Sequence, residues 1–434
     1  MSDSRTPRAA GLDFGTTNTV VALSDGAGGA DVVAFAHGGG TRTFRSALCF
    51  WADEEGGRPQ VRHEAGPWAI DEYLSFPQDS RFIQSFKTVA ASAAFEHATI
   101  FEKRFRFEDL VGHFLDKLLA HGSEALGPLP ERIAIGRPVR FAGARPDEHL
   151  AMERYDRAFA RLGAREIVYV YEPLAAAFSF ARQVTNEATI LIADFGGGTS
   201  DFSVVRVHAP GSDTRCTPLG HAGVGIAGDR FDYRIVDRLV LPLLGKGGRY
   251  RSFDKELEIP RGYFADFADW SRLALMRNRR TLDELRRLAR SAVDPAGIER
   301  MIRLIEFELG YPLYDAVGRL KRELSTAEEA RFRFSGGGVE LDVPVLRTAF
   351  EHWIVPDLAE IGAAADRALV AAALEPSAID RVFLTGGSSL VPAVRRLFAD
   401  RFGADRVASG EELTSIAHGL ALIAQEPRLS DWAA

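Results

Sequence analysis

Short apolar runs alternate along the chain with segments in which apolar residues recur at helical spacing. Runs of β-branched and aliphatic residues are typical of buried strands, and amphipathic segments between them are typical of helices that pack on a sheet. The strands predicted in this way are residues 133–138, 167–171 and 188–192, and the helices are residues 110–121, 148–162 and a segment that begins at 172. Pro173 falls at the first helical position of the last segment, where its missing N–H costs nothing. The alternation predicts α/β layers.

One phrase occurs twice in the chain. Residues 11–23 read GLDFGTTNTVVAL, and residues 192–205 read IADFGGGTSDFSVV. Each is an apolar strand that ends in Asp-Phe-Gly, followed by a small polar turn and a second strand-like run. Two widely separated copies predict two related lobes. A third strand–turn–helix pattern occurs at residues 381–389, where the turn is Gly386-Gly387-Ser388.

The boundary between the lobes is expected between the two copies. We expect lobe I at residues 1–187, with a peripheral subdomain at about 47–124, and lobe II at residues 188–434, with a helical subdomain at about 229–347. Within lobe II, residues 245–347 are rich in arginine and helical in composition, and glycine-rich stretches interrupt them. They are predicted to form an inserted, mostly helical subdomain.

Composition excludes several classes of protein. The chain has 434 residues, of which 46% are hydrophobic and 10% aromatic, and this excludes an intrinsically disordered protein. A net charge of −7 argues against a dedicated binder of nucleic acid or of anionic membranes. The two cysteines, Cys49 and Cys216, cannot form a disulfide framework, and the start of the chain lacks the apolar core of a signal peptide. No apolar run is long enough to span a bilayer, so we expect a cytoplasmic protein.

The three glycine turns are candidates for phosphate binding. Glycines that follow a strand let backbone N–H groups approach phosphate oxygens. Hydroxyl donors are added by Thr16, Thr17 and Thr199. Asp13 and Asp194 could hold water on Mg²⁺, which prefers oxygen ligands and keeps several of its waters, and Asp201 could support the same shell. Taken alone, each turn is as well explained by a tight hairpin that uses glycine for positive φ, but the three together favour phosphate binding.

Two other glycine motifs point less clearly to a ligand. Residues 223–228 match G-x-G-x-x-G, but no strong apolar strand is predicted before them and no acidic residue stands at the spacing of a ribose ligand. A Rossmann dinucleotide site is therefore disfavoured there. Residues 245–248 lack the upstream glycine of a Walker A loop, which disfavours a P-loop fold.

In order and in sequence, the motifs resemble those of the actin-like ATPases, and within them the DnaK-type heat-shock chaperones. The matching segments are the phosphate motifs (12–18 and 194–201), the connecting helix (172–177), the adenosine motif (384–392), the proline-bearing segment (136–138), and the hinge and nucleoside-facing helix (228–232 and 321–325). Finer matches are closest to the YegD-like branch, whose members lack a substrate-binding domain. The resemblance covers nearly the whole chain. It implies an α/β, two-lobed actin-like ATPase (ribonuclease H-like) fold with peripheral subdomains, and ATP or ADP with Mg²⁺ in the cleft between the lobes.

The resemblance also implies roles for individual residues. Asp13 and Asp194 would organise Mg²⁺ through water, Thr199 would contact the γ-phosphate, and Glu172 would help to orient the attacking water. The other nucleotide-binding positions implied are Gly15, Thr16, Thr17, Asn18, Gly196, Gly197, Gly198, Asp201, Gly228, Lys321, Arg322, Ser325, Gly386, Gly387, Ser388 and Leu390. Such a site acts by positioning and electrostatics, as phosphoryl transfer requires.

Two departures from the family pattern concern this site. The family's catalytic lysine stands in a Gly-x-x-x-Lys phrase, but the local counterpart, residues 65–70, ends in isoleucine. Lys87 is the nearest substitute as a catalytic residue, and the competing interpretation is a solvated surface lysine. Leu390 stands where the family has an arginine stacked on adenine, and Gly318 replaces a ribose-binding glutamate. We therefore expect weaker or less base-selective nucleotide binding.

The functional hypotheses follow from the resemblance and its departures. A DnaK-type chaperone continues with a peptide-binding β-sandwich and lid, and we expect no such C-terminal domain here. The first hypothesis is a slowly hydrolysing, Mg-ATP-binding ATPase of DnaK-like chaperone type that acts by nucleotide-driven lobe closure. The alternative is a nucleotide sensor that does not hydrolyse ATP. A filament-forming actin relative or a sugar-kinase relative is disfavoured by the DnaK-type details.

The partners expected are nucleotide and an unidentified protein partner or client, without nucleic acid or membrane. The arginine clusters at residues 277–280 and 286–290 alternate with leucines at helical spacing. This pattern is typical of a solvated basic face over an apolar stripe, and contact with a partner or with nucleic acid is the alternative.

Overall fold

A computed structural model describes residues 9–25, 27–55, 58–143, 145–181, 186–209, 215–268, 273, 276–409 and 414–434. The chain forms two units: one consists of Met1–Gly228 with Ala359–Ala434, and the other of Asp229–Leu358. The predicted division into lobes I and II stays a prediction. Within the described residues, no helix is long and apolar enough to cross a membrane.

Strands and helices alternate through the first unit, as predicted. The strands are β1 (Ala9–Phe14), β2 (Asn18–Ser24), β3 (Ala30–Val32), β4 (Phe44–Arg45), β5 (Ala47–Glu55), β6 (Arg58–Ala65), β7 (Ser80–Gln84), β8 (Ala98–Ile100), β9 (Lys103–Phe105), β10 (Arg132–Arg137), β11 (Glu166–Tyr171), β12 (Ala188–Phe195), β13 (Ser200–Val207), β14 (Cys216–Val224), β15 (Arg249–Ser252), β16 (Lys255–Glu258), β17 (Glu329–Gly336), β18 (Val339–Leu346), β19 (Arg381–Thr385) and β20 (Val407–Ser409). The α-helices are α1 (Gly66–Ser75), α2 (Phe107–His121), α3 (Ser123–Leu126), α4 (Glu148–Phe159), α5 (Glu172–Ala181), α6 (Gly228–Ile235), α7 (Leu241–Leu243), α8 (Arg279–Ser291), α9 (Ala296–Glu306), α10 (Gly310–Thr326), α11 (Arg347–Trp353), α12 (Val355–Ala371), α13 (Pro392–Phe402) and α14 (Ser415–Ile423). The strands predicted from apolar runs are confirmed as β10, β11 and β12, and the predicted helices as α2, α4 and α5.

Two sheets of the first unit share one topology. In the first, the strand order is β11-β10-β1-β2-β3, and in the second it is β14-β13-β12-β19-β20. In each sheet, the strand that ends in Asp-Phe pairs antiparallel with the next strand of the chain and parallel with a later one. The repeated phrase in the sequence therefore corresponds to a repeated strand arrangement, and the α/β class is confirmed.

Helices α5 and α14 pack closely against each other and against the first sheet. A Cβ at Gly419 of α14 would lie 1.8 Å from the carbonyl oxygen of Ala175 in α5. Likewise, a Cβ at Gly11 of β1 would lie 2.3 Å from the carbonyl oxygen of Ala417. Small residues at these crossings let α14 approach both β1 and α5, the helix that begins at Glu172.

The second unit contains more β-structure than its composition predicts. Residues 245–347 include the helices α8, α9 and α10, but also the antiparallel hairpins β15–β16 and β17–β18. The prediction of a mostly helical insertion does not include these two hairpins. Buried and exposed residues alternate along β17, as in a strand with one face packed, whereas the adjoining glycines mark only the turn between β17 and β18.

The arginine-rich helix α8 has the amphipathic character that its spacing predicts. Leu285 and Leu288 are buried, whereas Arg279 and Arg280 are almost fully exposed and pair with Asp283 and Glu284 one turn along. These ion pairs lie in solvent on the exposed face of the helix, and pairs of this kind contribute little to stability.

Candidate functional site

Two hairpins of the first unit present the repeated Asp-Phe-Gly phrase in the same way. Asp13 lies at the end of β1, opposite Val20 of β2. Asp194 lies at the end of β12, opposite Asp201 of β13 and beside Thr385 of β19. Each aspartate thus immediately precedes a glycine turn, and Asp194 and Asp201 are both almost fully buried.

The first glycine turn, residues 15–18, is braced by a serine that the sequence analysis missed. Ser46 follows β4, and its hydroxyl donates to the carbonyl oxygen of Gly15 at 2.6 Å. Its backbone N–H donates to the carbonyl oxygen of Thr17 at 2.9 Å. These bonds use carbonyl oxygens of the turn and not its N–H groups, which are the groups that would face an anion. No sequence motif marks Ser46, since it lies far from the turn along the chain.

The first and second glycine turns lie close together. A Cβ built on Gly198 would lie 3.6 Å from the hydroxyl oxygen of Thr16 and 3.5 Å from the side-chain methyl of Thr88. The second turn is closed by a hydrogen bond from the N–H of Gly196 to the carbonyl oxygen of Thr199 at 3.0 Å. Two of the three predicted phosphate turns therefore meet, with Thr88 beside them as a further neighbour.

The third glycine turn begins directly after β19. Gly386 has φ +81°, and a Cβ there would lie 2.1 Å from the carbonyl oxygen of Phe195, so only glycine fits. Gly387 and Leu390 are exposed, whereas Ser388 is buried. Since Phe195 precedes the second turn, this contact holds the third turn against the end of β12.

Lys87 and Glu172 form a buried ion pair at this end of the sheets. The ammonium of Lys87 donates to Glu172 Oε1 at 2.5 Å, and both side chains are 7% exposed. Lys87 lies in a 3₁₀ turn that follows β7, and Glu172 begins α5. The interpretation of Lys87 as a solvated surface lysine is therefore wrong.

The charges of this cluster act on one another. Burial and the charge of Glu172 raise the pKa of Asp13 to about 7 and the pKa of Asp201 to about 7, against the pull of Lys87. The pKa of Asp194 is raised well above its ordinary value by burial, and then by the charges of Glu172 and Asp13. Burial lowers the pKa of Lys87, but Glu172, Tyr155 and Asp13 together outweigh it and raise that pKa above its ordinary value. The cluster thus holds more carboxylates than nearby cations.

Asp201 also receives backbone hydrogen bonds. Its Oδ1 accepts from the N–H groups of Val139 and Arg140 at 3.1 and 3.2 Å. These residues follow Pro138, the proline of the segment that resembles the family's nucleotide relay. The loop after β10 is therefore connected to the second phosphate hairpin through one carboxylate oxygen.

The donor set suits a hard divalent cation. Asp13, Asp194 and Asp201 supply carboxylate oxygens whose pKa values are raised by burial and then by the charge of Glu172, and a bound divalent cation would stabilise their ionised forms. Among the described residues, no three His, Cys, Asp or Glu side chains are placed to hold a metal ion directly. Asp13 and Asp194 are the residues that would hold Mg²⁺ through its waters.

Three predicted nucleoside residues lie in the second unit. Lys321 pairs with Asp232 at 2.8 Å, and the hydroxyl of Ser325 donates to the carbonyl oxygen of Lys321 at 3.0 Å. Arg322 lies on the same helix, α10, with a guanidinium nitrogen 3.5 Å from the Cβ position of Gly318. A side chain at position 318 would therefore meet the guanidinium of Arg322.

One expectation about residues 223–228 is wrong. A strand, β14, does precede this motif, and α6 begins at Gly228. However, β14 pairs antiparallel with β13 at the edge of its sheet, whereas a Rossmann motif follows a parallel strand. The N–H of Gly228 donates to the carbonyl oxygen of Gly196 at 3.3 Å, which connects the motif to the second phosphate turn.

Comparison with known proteins agrees with this geometry. Residues 310–426 match the Hsp70 protein family. The chain is 28% identical over 408 residues to the chaperone protein dnaK3 of Thermosynechococcus vestitus, with 91% of this chain and 51% of that protein covered. It is 26% identical over 417 residues to the chaperone protein DnaK of Deinococcus radiodurans, with 91% and 56% covered.

The chain spans about half the length of the curated relatives it matches. These similarities extend over most of the chain, and the mixed α/β fold is consistent with the resemblance to Hsp70-type proteins. The closer resemblance to the YegD-like branch stays a prediction, as do the roles of the individual site residues.

Proposed function

We propose that this chain binds Mg²⁺-ATP on the three glycine turns and hydrolyses it slowly, as the ATPase part of a DnaK-like chaperone that responds to nucleotide by closing its lobes. The observation that carries the proposal is the buried Lys87–Glu172 pair beside Asp13 and Asp194. A buried ion pair is costly and is not expected for stability alone, so its place at the glycine turns favours a chemical role.

Different residues of the site would bind the phosphates and stabilise their charge. Backbone N–H groups of the first two turns, with the hydroxyls of Thr16 and Thr199, hold phosphate oxygens. Bound Mg²⁺ supplies positive charge to the phosphates. Lys87 donates one hydrogen bond to Glu172 and has two further N–H groups for phosphate oxygen or water.

Glu172 orients the attacking water with its carboxylate. The water oxygen forms a bond to the γ-phosphorus while the bond to the β–γ bridging oxygen breaks, and ADP leaves with that electron pair. The water's proton passes to the phosphate product or to solvent. Lys87 holds Oε1 of Glu172, and the carboxylate has further acceptor sites for the attacking water.

A nucleotide sensor without hydrolysis is the second candidate. Leu390 is 55% exposed at the end of the third turn and offers only an apolar face to a base. Weak binding and slow chemistry would leave a conformational response to nucleotide as the output. A single-turnover experiment with the full chain and Mg²⁺-ATP separates the candidates, since conversion of bound ATP supports the ATPase and retention of intact ATP supports the sensor. Failure to bind ATP at millimolar concentration would contradict both.

We expect the affinity for Mg²⁺-ADP to increase as pH rises from 6 to 8. Asp13 and Asp201 have pKa values raised to about 7, so they lose protons across this range and only then attract the cation fully. Without Mg²⁺, the free energy of unfolding should instead decrease as pH rises from about 4 to 7. Over this range the folded state keeps protons on Asp13 and Asp201 that the unfolded state has already released. Calorimetric titration at saturating Mg²⁺ measures both affinity and proton release. An affinity independent of pH in this range would contradict the metal role of the cluster.

Restoring an arginine at position 390 should strengthen ATP binding. Leu390→Arg would place a guanidinium over the adenine, where stacking and cation–π attraction contribute about 1 kcal/mol, or roughly fivefold in Kd. Titration with ATP and with GTP measures affinity and base preference, and Leu390→Ala serves as the control for lost packing. Equal affinities of the Arg and Ala variants would show that residue 390 does not face the base.

A further inference from the structure

Helix α4 carries a buried arginine in its apolar face. Arg154 is 8% exposed and lies between Ala151 and Tyr155, which are fully buried. Among the described residues, no carboxylate lies within ion-pair distance of its guanidinium. A buried cation needs hydrogen bonds to replace water, and these determine what the residue does.

The guanidinium donates to main-chain carbonyl oxygens of one short segment. Its Nη1 lies 2.9, 2.8 and 3.1 Å from the carbonyl oxygens of Val89, Ala90 and Ser92. Its Nη2 lies 2.5 Å from the carbonyl oxygen of Phe95. Four carbonyl groups that point to one place require a tightly turned backbone, which the guanidinium stabilises by satisfying them together.

This segment begins with the turn that carries Lys87. Ser85 has φ +54°, a left-handed conformation that is unfavourable for serine, and the 3₁₀ turn Phe86–Val89 follows it. The carbonyl oxygen of Val89, at the end of that turn, is one of the four that Arg154 binds. The position of the Lys87 ammonium therefore depends on a backbone that Arg154 holds.

We propose that Arg154 is a positioning residue for Lys87: its guanidinium gathers the carbonyl oxygens of residues 89–95 and thereby keeps the Lys87 ammonium at Glu172. This inference rests on the proposed ATPase function for its catalytic consequence, but the placement of Lys87 can be measured without turnover. Among the described residues, Arg154 makes no hydrogen bond or ion pair with the glycine turns or with a carboxylate, so it acts through the lysine turn and affects the chemical step more than nucleotide binding.

The test variant is Arg154→Lys, which keeps the charge but offers one ammonium to four carbonyl groups. We expect kcat for Mg²⁺-ATP to fall about 10- to 100-fold with KM changed less than about twofold, because small misplacement of a catalytic group has effects of this size. Arg157→Lys is the matched control, since Arg157 lies on the same helix but is 56% exposed and pairs with Glu153 at the surface. It should leave kcat unchanged.

A chemical readout follows Lys87 itself. Acetylation of native protein, measured by mass spectrometry relative to the exposed Lys103, should be slow at Lys87 in the wild type and about tenfold faster in Arg154→Lys. Unchanged acetylation of Lys87 would overturn the proposal. If the wild type does not hydrolyse ATP but acetylation responds as expected, the ATPase function fails while the placement of Lys87 by Arg154 is supported.

A double-variant cycle distinguishes positioning from a general loss of structure. In a Lys87→Met background, Arg154→Lys should have no further effect on kcat, since Arg154 acts through the lysine. An equal loss of kcat in the wild-type and Lys87→Met backgrounds would overturn the proposal and assign Arg154 a role in stability alone.

Discussion

Asp194→Asn should reduce single-turnover hydrolysis of Mg²⁺-ATP by at least about 100-fold, because it removes a carboxylate that would hold Mg²⁺ through water and so weakens the electrostatic stabilisation of the transferring phosphate. Asp194 is 4% exposed and lies at the end of β12 between the second and third glycine turns. Rapid-quench measurement of one turnover, with enzyme in excess over ATP, reports the chemical step without product release.

The same substitution should stabilise the protein in the absence of Mg²⁺. The pKa of Asp194 is raised by burial and by the charges of Glu172 and Asp13, so the ionised carboxylate is unfavourable in the folded state. A neutral amide of the same shape removes this cost, and the thermal midpoint at pH 8 should rise. Loss of hydrolysis together with a higher midpoint would exclude misfolding as the cause.

The matched control for Asp194→Asn is Asp400→Asn. Asp400 is exposed near the end of α13, so this change removes the same charge far from the cluster. It should alter neither turnover nor the midpoint measurably. Full turnover in Asp194→Asn would contradict the proposed role of Asp194.

Lys87→Met should reduce turnover by about 100- to 1,000-fold, which corresponds to the loss of one preorganised electrostatic contact of about 3–4 kcal/mol. Methionine keeps the length and apolar stem of the side chain but cannot donate to Glu172 or to phosphate. The single-turnover rate, with ATP affinity measured in parallel, separates loss of chemistry from loss of binding. Lys103→Met, at an exposed lysine of β9, is the control and should behave as the wild type.

Lys87→Met should also destabilise the protein, because it leaves the buried Glu172 carboxylate without its partner. Breaking a buried pair in this way costs about 3–5 kcal/mol. The double variant with Glu172→Gln removes both charges and should recover most of the stability without recovering turnover. Turnover near the wild-type rate in Lys87→Met would show that hydrolysis, if present, does not use this lysine.

The local structure around the glycine turns was predictable from sequence. Asp-Phe-Gly at residues 13–15 and 194–196 follows β-branched runs, and both copies form a strand, a tight turn and an antiparallel partner as predicted. These features depend on interactions between residues a few positions apart, where alternation and glycine conformation decide the result. The hairpins β15–β16 and β17–β18 were not predicted, because the surrounding helical composition masked their short alternating runs.

The charged interior of the site could not be predicted in the same way. The motif around Glu172 predicts a site residue, whereas for Lys87 a solvated surface position competes with a catalytic one, and no motif marks Arg154. The sequence does contain one signal for Arg154, because this charged residue falls within the apolar face of α4, beside Ala151 and Tyr155. Nothing in the sequence states which carbonyl groups it binds.

By itself, the amino-acid sequence determined the strand–turn–strand motifs with their glycine turns, the α/β class and the identity of the candidate acids, since these depend on composition and on spacing along a few residues. Only the tertiary structure decided that Lys87 lies at Glu172, that Ser46 braces the first turn and that Asp13, Asp194 and Asp201 share one charged cluster. The reason is physical: burial and the approach of residues distant in the chain set the strength of charge interactions, and neither is encoded in local spacing.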